Sequence, residues 1–146
     1  MKITSPAFEN NQFIPDKYTC KGENVNPPFE ISFIPKNTKS LVLLAEDPDA
    51  SIKTWTHWIV YNIDPQTSTI TENSLPQNAK EAINDFGKLN YGGPCPPSGT
   101  HHYHFKLFAL DTKIQETTNF DKATILKVME DHVIEQNELI GLYSKK

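Results

Sequence analysis

Polar side chains able to bind an anion or move a proton stand at the start of one apolar segment. His101 and Tyr103 are followed, at intervals of two, by Phe105 and Leu107. Side chains two residues apart in a strand share a face, so these four lie on one face, which Phe105 and Leu107 mark as the core face. His101 and Tyr103 are therefore predicted at the rim of the core, where the strand leaves its loop.

Two more polar side chains extend apolar faces in the same way. Asp47 follows the alternate apolar residues of segment 41–45, and His57 precedes those of segment 59–63. One histidine on an apolar face is usually a core residue, but three such polar groups at strand ends predict a site. A carboxylate beside imidazoles raises the pKa of the histidines and favours their cationic form. Asp47, His57 and His101 thus predict a small cationic site that holds an anion.

A loop of glycines and prolines precedes His101 and strengthens this prediction. Residues 91–100 read Tyr-Gly-Gly-Pro-Cys-Pro-Pro-Ser-Gly-Thr. Glycine lets the backbone approach a ligand, and proline stiffens the chain. An anion-binding nest of free backbone N–H groups is predicted from this loop, with the donors on Gly92, Gly93, Cys95 and Ser98. A rigid turn that joins two strands is the alternative interpretation.

A second loop, Asp47-Pro48-Asp49-Ala50, follows the first apolar segment. Asp-Pro is ordinary turn chemistry, so the loop alone does not indicate a site. Two carboxylates beside an anion would repel it. They must therefore pair with cationic histidine, be protonated, or accept a hydrogen bond from a hydroxyl or amine of the ligand.

Short apolar segments between proline-rich loops predict a mainly β domain over residues 1–146. Buried strands are expected at 40–46, 57–63 and 103–110, and a two-sheet sandwich is the simplest fold for them. Asp121 is a predicted N-cap of an amphipathic helix that runs to about Gln136, with His132 on its core face. Residues 138–143 are expected to form a last edge strand.

The composition of the chain excludes some classes of binding partner and indicates a compartment. The formal net charge is −4, and all 14 basic residues are lysines, so a nucleic-acid partner is not expected. No apolar run is long enough for a membrane span, and the start of the chain lacks a secretory signal, which makes the cytoplasm the expected compartment. Cys20 and Cys95 are too few for a disulfide framework, and their spacing is compatible with free thiols or with a pair.

Two enzymatic alternatives use the same residues. His102 and His104 resemble the His-x-His of metal-binding cupins, and Asp47, His57 and His101 are also possible metal ligands, but the carboxylate that a cupin site adds is missing from 105–110. Ser98 or Cys95 with one of the histidines would give a hydrolase. Proline on both sides of Cys95 makes a structural role the better interpretation. Trp55, on the loop before His57, is a candidate wall of the pocket.

The chain resembles the phosphatidylethanolamine-binding protein family, in its bacterial and archaeal branch of proteins similar to the Raf kinase inhibitor. The resemblance spans nearly the whole sequence. Its motifs are Tyr-Thr-Cys-Lys-Gly-Glu-Asn-Val-Asn-Pro-Pro at 18–28, Asp-Pro-Asp-Ala at 47–50 with His57-Trp58, the loop from Gly92 to Tyr103, and Gly141-Leu142-Tyr143.

This resemblance implies a two-sheet Greek-key β-sandwich with a C-terminal helix and a small pocket at one end. The residues at the pocket positions are Asp47, Asp49, His57, His101 and Tyr103, with Pro48, Gly93, Pro96 and Pro97 shaping it. The implied ligands are small anions and phosphorylated head groups such as phosphorylethanolamine, and eukaryotic members inhibit kinases or proteases. No catalytic activity and no cofactor are implied, and a homodimer is a further expectation.

Two positions depart from the family pattern. Ser51 stands where proline usually follows Asp-Pro-Asp-Ala, and His102 stands where arginine usually separates the pocket histidine from the tyrosine. By strand alternation His102 points away from His101, so its change is expected to alter the outer support of the pocket or a partner surface.

Overall fold

β-strands are the main regular secondary structure of the computed structural model, which describes residues 1–116 and 120–145. The strands are β1 (Lys2–Thr4), β2 (Gln12–Phe13), β3 (Phe29–Ser32), β4 (Ser40–Asp47), β5 (Trp55–Ile63), β6 (Thr69–Ile70), β7 (Lys80–Glu81), β8 (Thr100–Leu110) and β9 (Val133–Ser144). One α-helix, α1 (Lys122–Met129), lies between β8 and β9, and a short 3₁₀ helix covers Asp16–Tyr18.

The strands form two sheets. The smaller sheet has the order β1-β3-β6, and the larger has the order β2-β9-β8-β4-β5-β7. β8 pairs with β4 on one side and with β9 on the other, so strands distant in sequence are neighbours in space, as in a Greek key. The predicted two-sheet β-sandwich is confirmed.

Every residue of β4 is buried, because the larger sheet is covered on both faces. One face packs against the smaller sheet, where the rings of Phe29 and Phe105 lie 5.0 Å apart. The other face packs against α1 through Ile125 and Met129. Side chains alternate between these two cores along β4 and β8, as strand alternation predicts: Leu41, Leu43, Ala45, Tyr103, Phe105 and Leu107 all belong to the core between the sheets.

β5 departs from simple alternation at one point. Trp58 pairs with Ala45, but the next pair along β4 is Glu46 with Thr56, so His57 is an extra residue in the ladder. Such a bulge interrupts the alternation of side chains, so a residue at the bulge can point to the opposite face from the one that regular alternation predicts. The prediction that His57 shares a face with Ile59 is therefore wrong, because Ile59 packs in the core on the α1 side.

The C-terminal elements correct two predictions. Asp121 caps α1 by accepting from the Thr124 N–H at 2.9 Å, as expected, but the helix ends at Met129 instead of near Gln136. Asp131 adopts a φ of 67°, a left-handed conformation that ends the helix and redirects the chain into β9. His132 is exposed and paired with Asp111, not part of the core.

β9 is the second correction. It is twelve residues long and lies between β8 and β2, so it is an inner strand of the larger sheet and not an edge. Its parallel pairing with β2 through Leu142 and Phe13 covers what would otherwise be an edge. Within the described residues, no helix is long and apolar enough to cross a membrane.

Candidate functional site

A cavity of about 200 Å³ opens at the end of the sandwich where β4 ends and where β5 and β8 begin. Asp47 is the last residue of β4, His57 lies near the start of β5, and His101 lies near the start of β8. The antiparallel pairing of these three strands brings the ends together. The cavity is lined by Asp47, Ala50, Ser51, Trp55, His57, Phe86, Cys95, Pro96, Pro97, His101 and Tyr103.

Asp47 and His101 form the charged part of the cavity. The Nδ1–H of His101 donates to Asp47 Oδ2 at 2.6 Å, and both side chains are nearly buried. Asp47 Oδ1 accepts the backbone N–H of Asp49 at 2.8 Å, which fixes the carboxylate. A histidine whose Nδ1 proton is held by a carboxylate keeps Nε2 for another partner.

His57 has a different environment. Its Nδ1–H donates to the Gly92 carbonyl at 2.6 Å. Because a carbonyl oxygen only accepts hydrogen bonds, Nδ1 carries the proton in this contact. Burial lowers the pKa of His57, and the bond to Gly92 and the charge of Asp47, which both raise it, do not offset the burial. The expectation that Asp47 makes His57 cationic is therefore wrong, and a neutral His57 offers Nε2 as an acceptor.

Tyr103 brings a hydroxyl between the two histidines. Its ring lies 5.3 Å from that of His57 and 6.4 Å from that of His101. Burial and the charge of Asp47 raise the pKa of the Tyr103 hydroxyl, which therefore keeps its proton. The protonated hydroxyl is therefore a donor for a ligand.

Two of the four backbone N–H groups predicted to form a nest already have partners. Gly92 donates to the His57 carbonyl at 3.0 Å, and Gly93 donates to Asn24 Oδ1 at 2.8 Å. These two groups are thus unavailable to an anion. This part of the nest prediction is wrong.

Six of the nine residues predicted for the site line the cavity, and three do not. Pro48 and Asp49 are exposed, and Gly93 is buried behind the loop. Gly93 fits there because a Cβ would lie 2.4 Å from the Tyr18 carbonyl oxygen. The six that line the cavity are Asp47, His57, Pro96, Pro97, His101 and Tyr103.

Asp49 supports the site from outside. Its Oδ2 accepts both the backbone N–H and the Nδ1–H of His102, at 2.8 and 2.7 Å, and the bond from the His102 side chain lowers the pKa of Asp49. His102 therefore lies on the outer side, as alternation predicts. Since only one carboxylate lines the cavity and His101 pairs with it, the predicted repulsion between two carboxylates and an anion is largely removed.

The structure adds residues that the sequence did not indicate. Phe86 contacts Trp55 and His57 edge to face, with ring centres 5.7 and 5.4 Å apart, and Trp55 is a wall of the cavity as expected. Asn84 shapes the loop that carries Phe86, because its buried amide bonds the backbone of His57, Phe86, Lys88 and Asn90. In the sequence, an asparagine in a polar segment predicts a turn. It does not predict that the turn places Phe86 at this cavity.

Cys20 and Cys95 form a disulfide with their Cα atoms 5.5 Å apart, which decides between the two states left open by their spacing. Cys95 therefore has no thiol to act as a nucleophile. Ser98 is exposed and is not part of the cavity wall. Among residues 1–116 and 120–145, no three metal-ligating side chains gather in a cluster.

Comparisons with known proteins agree with this architecture. A UPF0098 protein of Pyrococcus horikoshii is 46% identical over 154 residues, covering 100% of this chain and 77% of its own. A UPF0098 protein of Methanothermobacter thermautotrophicus is 43% identical over 150 residues and 99% of both chains.

Solved structures match the fold closely. A phosphatidylethanolamine-binding protein homologue from Chlamydia trachomatis superposes with a TM-score of 0.94 at 38% identity, over 99% of this chain and 97% of that one. YbcL of Escherichia coli superposes with a TM-score of 0.92 at 31% identity, over 99% and 98%. The family model for phosphatidylethanolamine-binding proteins matches residues 4–144. The chain therefore belongs to the phosphatidylethanolamine-binding protein family.

Proposed function

We propose that this protein binds a small anionic or phosphorylated group in the cavity and acts by binding, not by catalysis. The observation that carries the proposal is the Asp47–His101 pair beside the protonated hydroxyl of Tyr103. In this proposal His101 and Tyr103 both donate to the anion, and hydrogen bonds to a charged group are stronger than those between neutral groups.

The size and chemistry of the cavity favour a head group over a larger ligand. Its volume of about 200 Å³ is below the range of roughly 300–1,000 Å³ typical of sites for drug-sized molecules. His101 Nε2 and the Tyr103 O–H supply donors, and neutral His57 supplies an acceptor. A phosphate monoester that also carries a hydrogen-bond donor, such as phosphorylethanolamine, can bond all three groups.

The phosphorylated group can also belong to another protein. In that case binding would regulate the partner, and inhibition of a kinase or a protease is the form of regulation that the family suggests. Phosphorylethanolamine and a phosphoserine peptide present the same chemistry to the cavity, so comparing them separates a lipid head group from a protein partner.

An NMR titration of chelator-treated protein with phosphorylethanolamine tests the proposal. The imidazole signals of His57 and His101 and the indole N–H of Trp55 are expected to shift together and to saturate, while ethanolamine leaves them in place. His101→Gln should weaken phosphate binding by tenfold or more, because one charge-assisted hydrogen bond contributes about 1.5–3 kcal/mol.

His132→Gln is the matched control, since His132 is an exposed histidine paired with Asp111 away from the cavity. Equal affinity in His101→Gln and the parent protein would contradict the proposal. Binding that requires added divalent metal would favour the metal-dependent alternative. Release of inorganic phosphate from phosphorylethanolamine would show catalysis and overturn the binding role.

A further inference from the structure

A second cavity, separate from the candidate site, carries one carboxylate among neutral polar groups. Its volume is about 290 Å³, and segment 90–91 lies along its wall. The described residues that line it are Asn24, Val25, Asn26, Trp58, Asn73, Ser74, Leu75, Glu81, Asn90 and Tyr91. None of them lines the candidate site, so the two cavities share no wall residue.

Glu81 is the charged residue of this cavity, and nothing neutralises it among the described residues. It lies on β7, half-buried, and its Oε2 accepts the indole N–H of Trp58 at 2.7 Å. No ion pair in residues 1–116 and 120–145 includes Glu81, and burial raises its pKa while the bond from Trp58 lowers it. A partly buried carboxylate without a cation is costly to keep, which favours a ligand that brings the positive charge.

The surroundings of Glu81 suit a cation with N–H donors. Trp58 and Tyr91 meet edge to face with ring centres 5.7 Å apart, and Trp58 holds the carboxylate in place. Asn73 and Asn90 also line the cavity, and an asparagine side chain carries an amide oxygen able to accept a hydrogen bond. The lining holds no lysine, so no group of the described wall competes for Glu81.

We propose that this cavity binds a small organic ammonium group, with Glu81 as its counter-ion. The amine can be a free alkylamine or the side chain of a lysine on another protein. Both present an ammonium group with three N–H donors on an alkyl stem, which fits one carboxylate, amide oxygens and the apolar side chains of Val25 and Leu75.

Titration with n-butylammonium chloride tests the inference, followed through the two tryptophan indole N–H signals. Trp58 reports the second cavity because its indole bonds Glu81, and Trp55 reports the candidate site. The Trp58 signal is expected to shift and saturate, and the Trp55 signal to stay. 1-Butanol, the neutral analogue, is expected to leave both in place.

Glu81→Gln keeps an acceptor for the Trp58 indole and removes the charge. It is expected to weaken butylammonium binding by about tenfold or more, whereas Glu30→Gln, at an exposed carboxylate on β3, leaves it within about twofold. Asn90→Ala, which changes only an exposed side chain of the lining, is expected to weaken binding a few-fold. It serves as the second variant should Glu81→Gln disturb the fold.

Three results would overturn the inference: a Trp58 signal that does not move, equal binding of butanol and butylammonium, or full affinity in both variants. Nα-acetyl-lysine methylamide identifies the source of the amine. Tighter binding of this compound than of butylammonium would support a lysine of a partner protein, and equal or weaker binding would support a free amine.

Discussion

His57 and His101 line the same cavity, yet their partners give them different chemistry. His101 donates to the carboxylate of Asp47, and His57 donates to the neutral carbonyl of Gly92. A carbonyl dipole stabilises an imidazolium less than a full negative charge does, so burial decides the state of His57. His101 therefore reaches the cavity with a carboxylate behind it, and His57 contributes an acceptor.

The pKa of His57 makes the stability of the protein depend on pH. Because the pKa of His57 is lower in the folded chain than in the unfolded chain, the unfolded chain takes up the proton first as the pH falls. His57 therefore lowers the free energy of unfolding as the pH falls through about 6.5 toward its folded pKa. Urea denaturation between about pH 7 and about pH 5 measures this slope.

Two histidine variants test whether His57 causes this dependence of the free energy of unfolding on pH. His57→Gln is expected to flatten the fall in the free energy of unfolding, whatever its effect on stability at neutral pH. His132→Gln, at an exposed histidine, is expected to keep the slope of the parent protein. A slope that is the same in His57→Gln and in the parent would show that burial does not hold His57 neutral.

At the scale of elements, strand alternation predicted β4 and β8 correctly because both run without a break past the site. It placed Asp47, His101 and Tyr103 on the core face, where they line the cavity. His57 reaches the same cavity only because of the bulge in β5. A bulge depends on how two strands pair, and the sequence of one strand does not encode that pairing. Alternation alone therefore puts His57 on the wrong face, whereas the family resemblance places it in the pocket.

The C-terminal helix shows a second limit of sequence patterns. Val128, His132 and Val133 continue the helical spacing, and this predicted a helix to about Gln136. The chain instead enters β9 at Val133, because eleven paired positions along β8 satisfy its backbone. Pairing with β8 therefore outweighs the helical spacing of the apolar residues. The sequence of this segment alone does not show that a partner strand is present.

Glu46 joins α1 to the sheet, and its removal should loosen the helix. Its carboxylate, 8% exposed, accepts from Lys106 on β8 and from Lys122 in the first turn of α1. Burial raises the pKa of Glu46, but the two lysines outweigh burial and hold it below its ordinary value. Glu46→Gln is expected to lower the free energy of unfolding by about 1–3 kcal/mol.

Hydrogen exchange of the α1 amides localises this effect, since the first turn of the helix should exchange faster than in the parent protein. Glu138→Gln is the control, because Glu138 pairs with His104 on the surface and is 41% exposed. An exposed pair contributes at most about 1 kcal/mol. Equal losses in the two variants would contradict the view that Glu46 anchors α1.

At the scale of the whole molecule, the candidate site is assembled from parts far apart in the chain. Strand ends supply Asp47, His57 and His101, and the loop before β8 supplies a wall that is tied by the Cys20–Cys95 disulfide to the loop around residue 20. Both cysteines are exposed. A disulfide persists in oxidising compartments and is rare in the reducing cytosol of most organisms, so it weighs against the expected cytoplasmic location.

Loss of this disulfide is expected to destabilise the fold and to loosen the site together. It links residues 75 positions apart, so opening it returns chain entropy to the unfolded state and lowers the free energy of unfolding by about 2–5 kcal/mol. The wall of the cavity that contains Cys95 is then held less firmly, and phosphorylethanolamine binds more weakly. Urea denaturation and the titration, each with and without dithiothreitol, measure both effects. A protein with both cysteines replaced by serine should have the stability and affinity of the reduced parent, and dithiothreitol should not change either. Equal stability and affinity in the oxidised and reduced parent would mean that the strands alone hold the site.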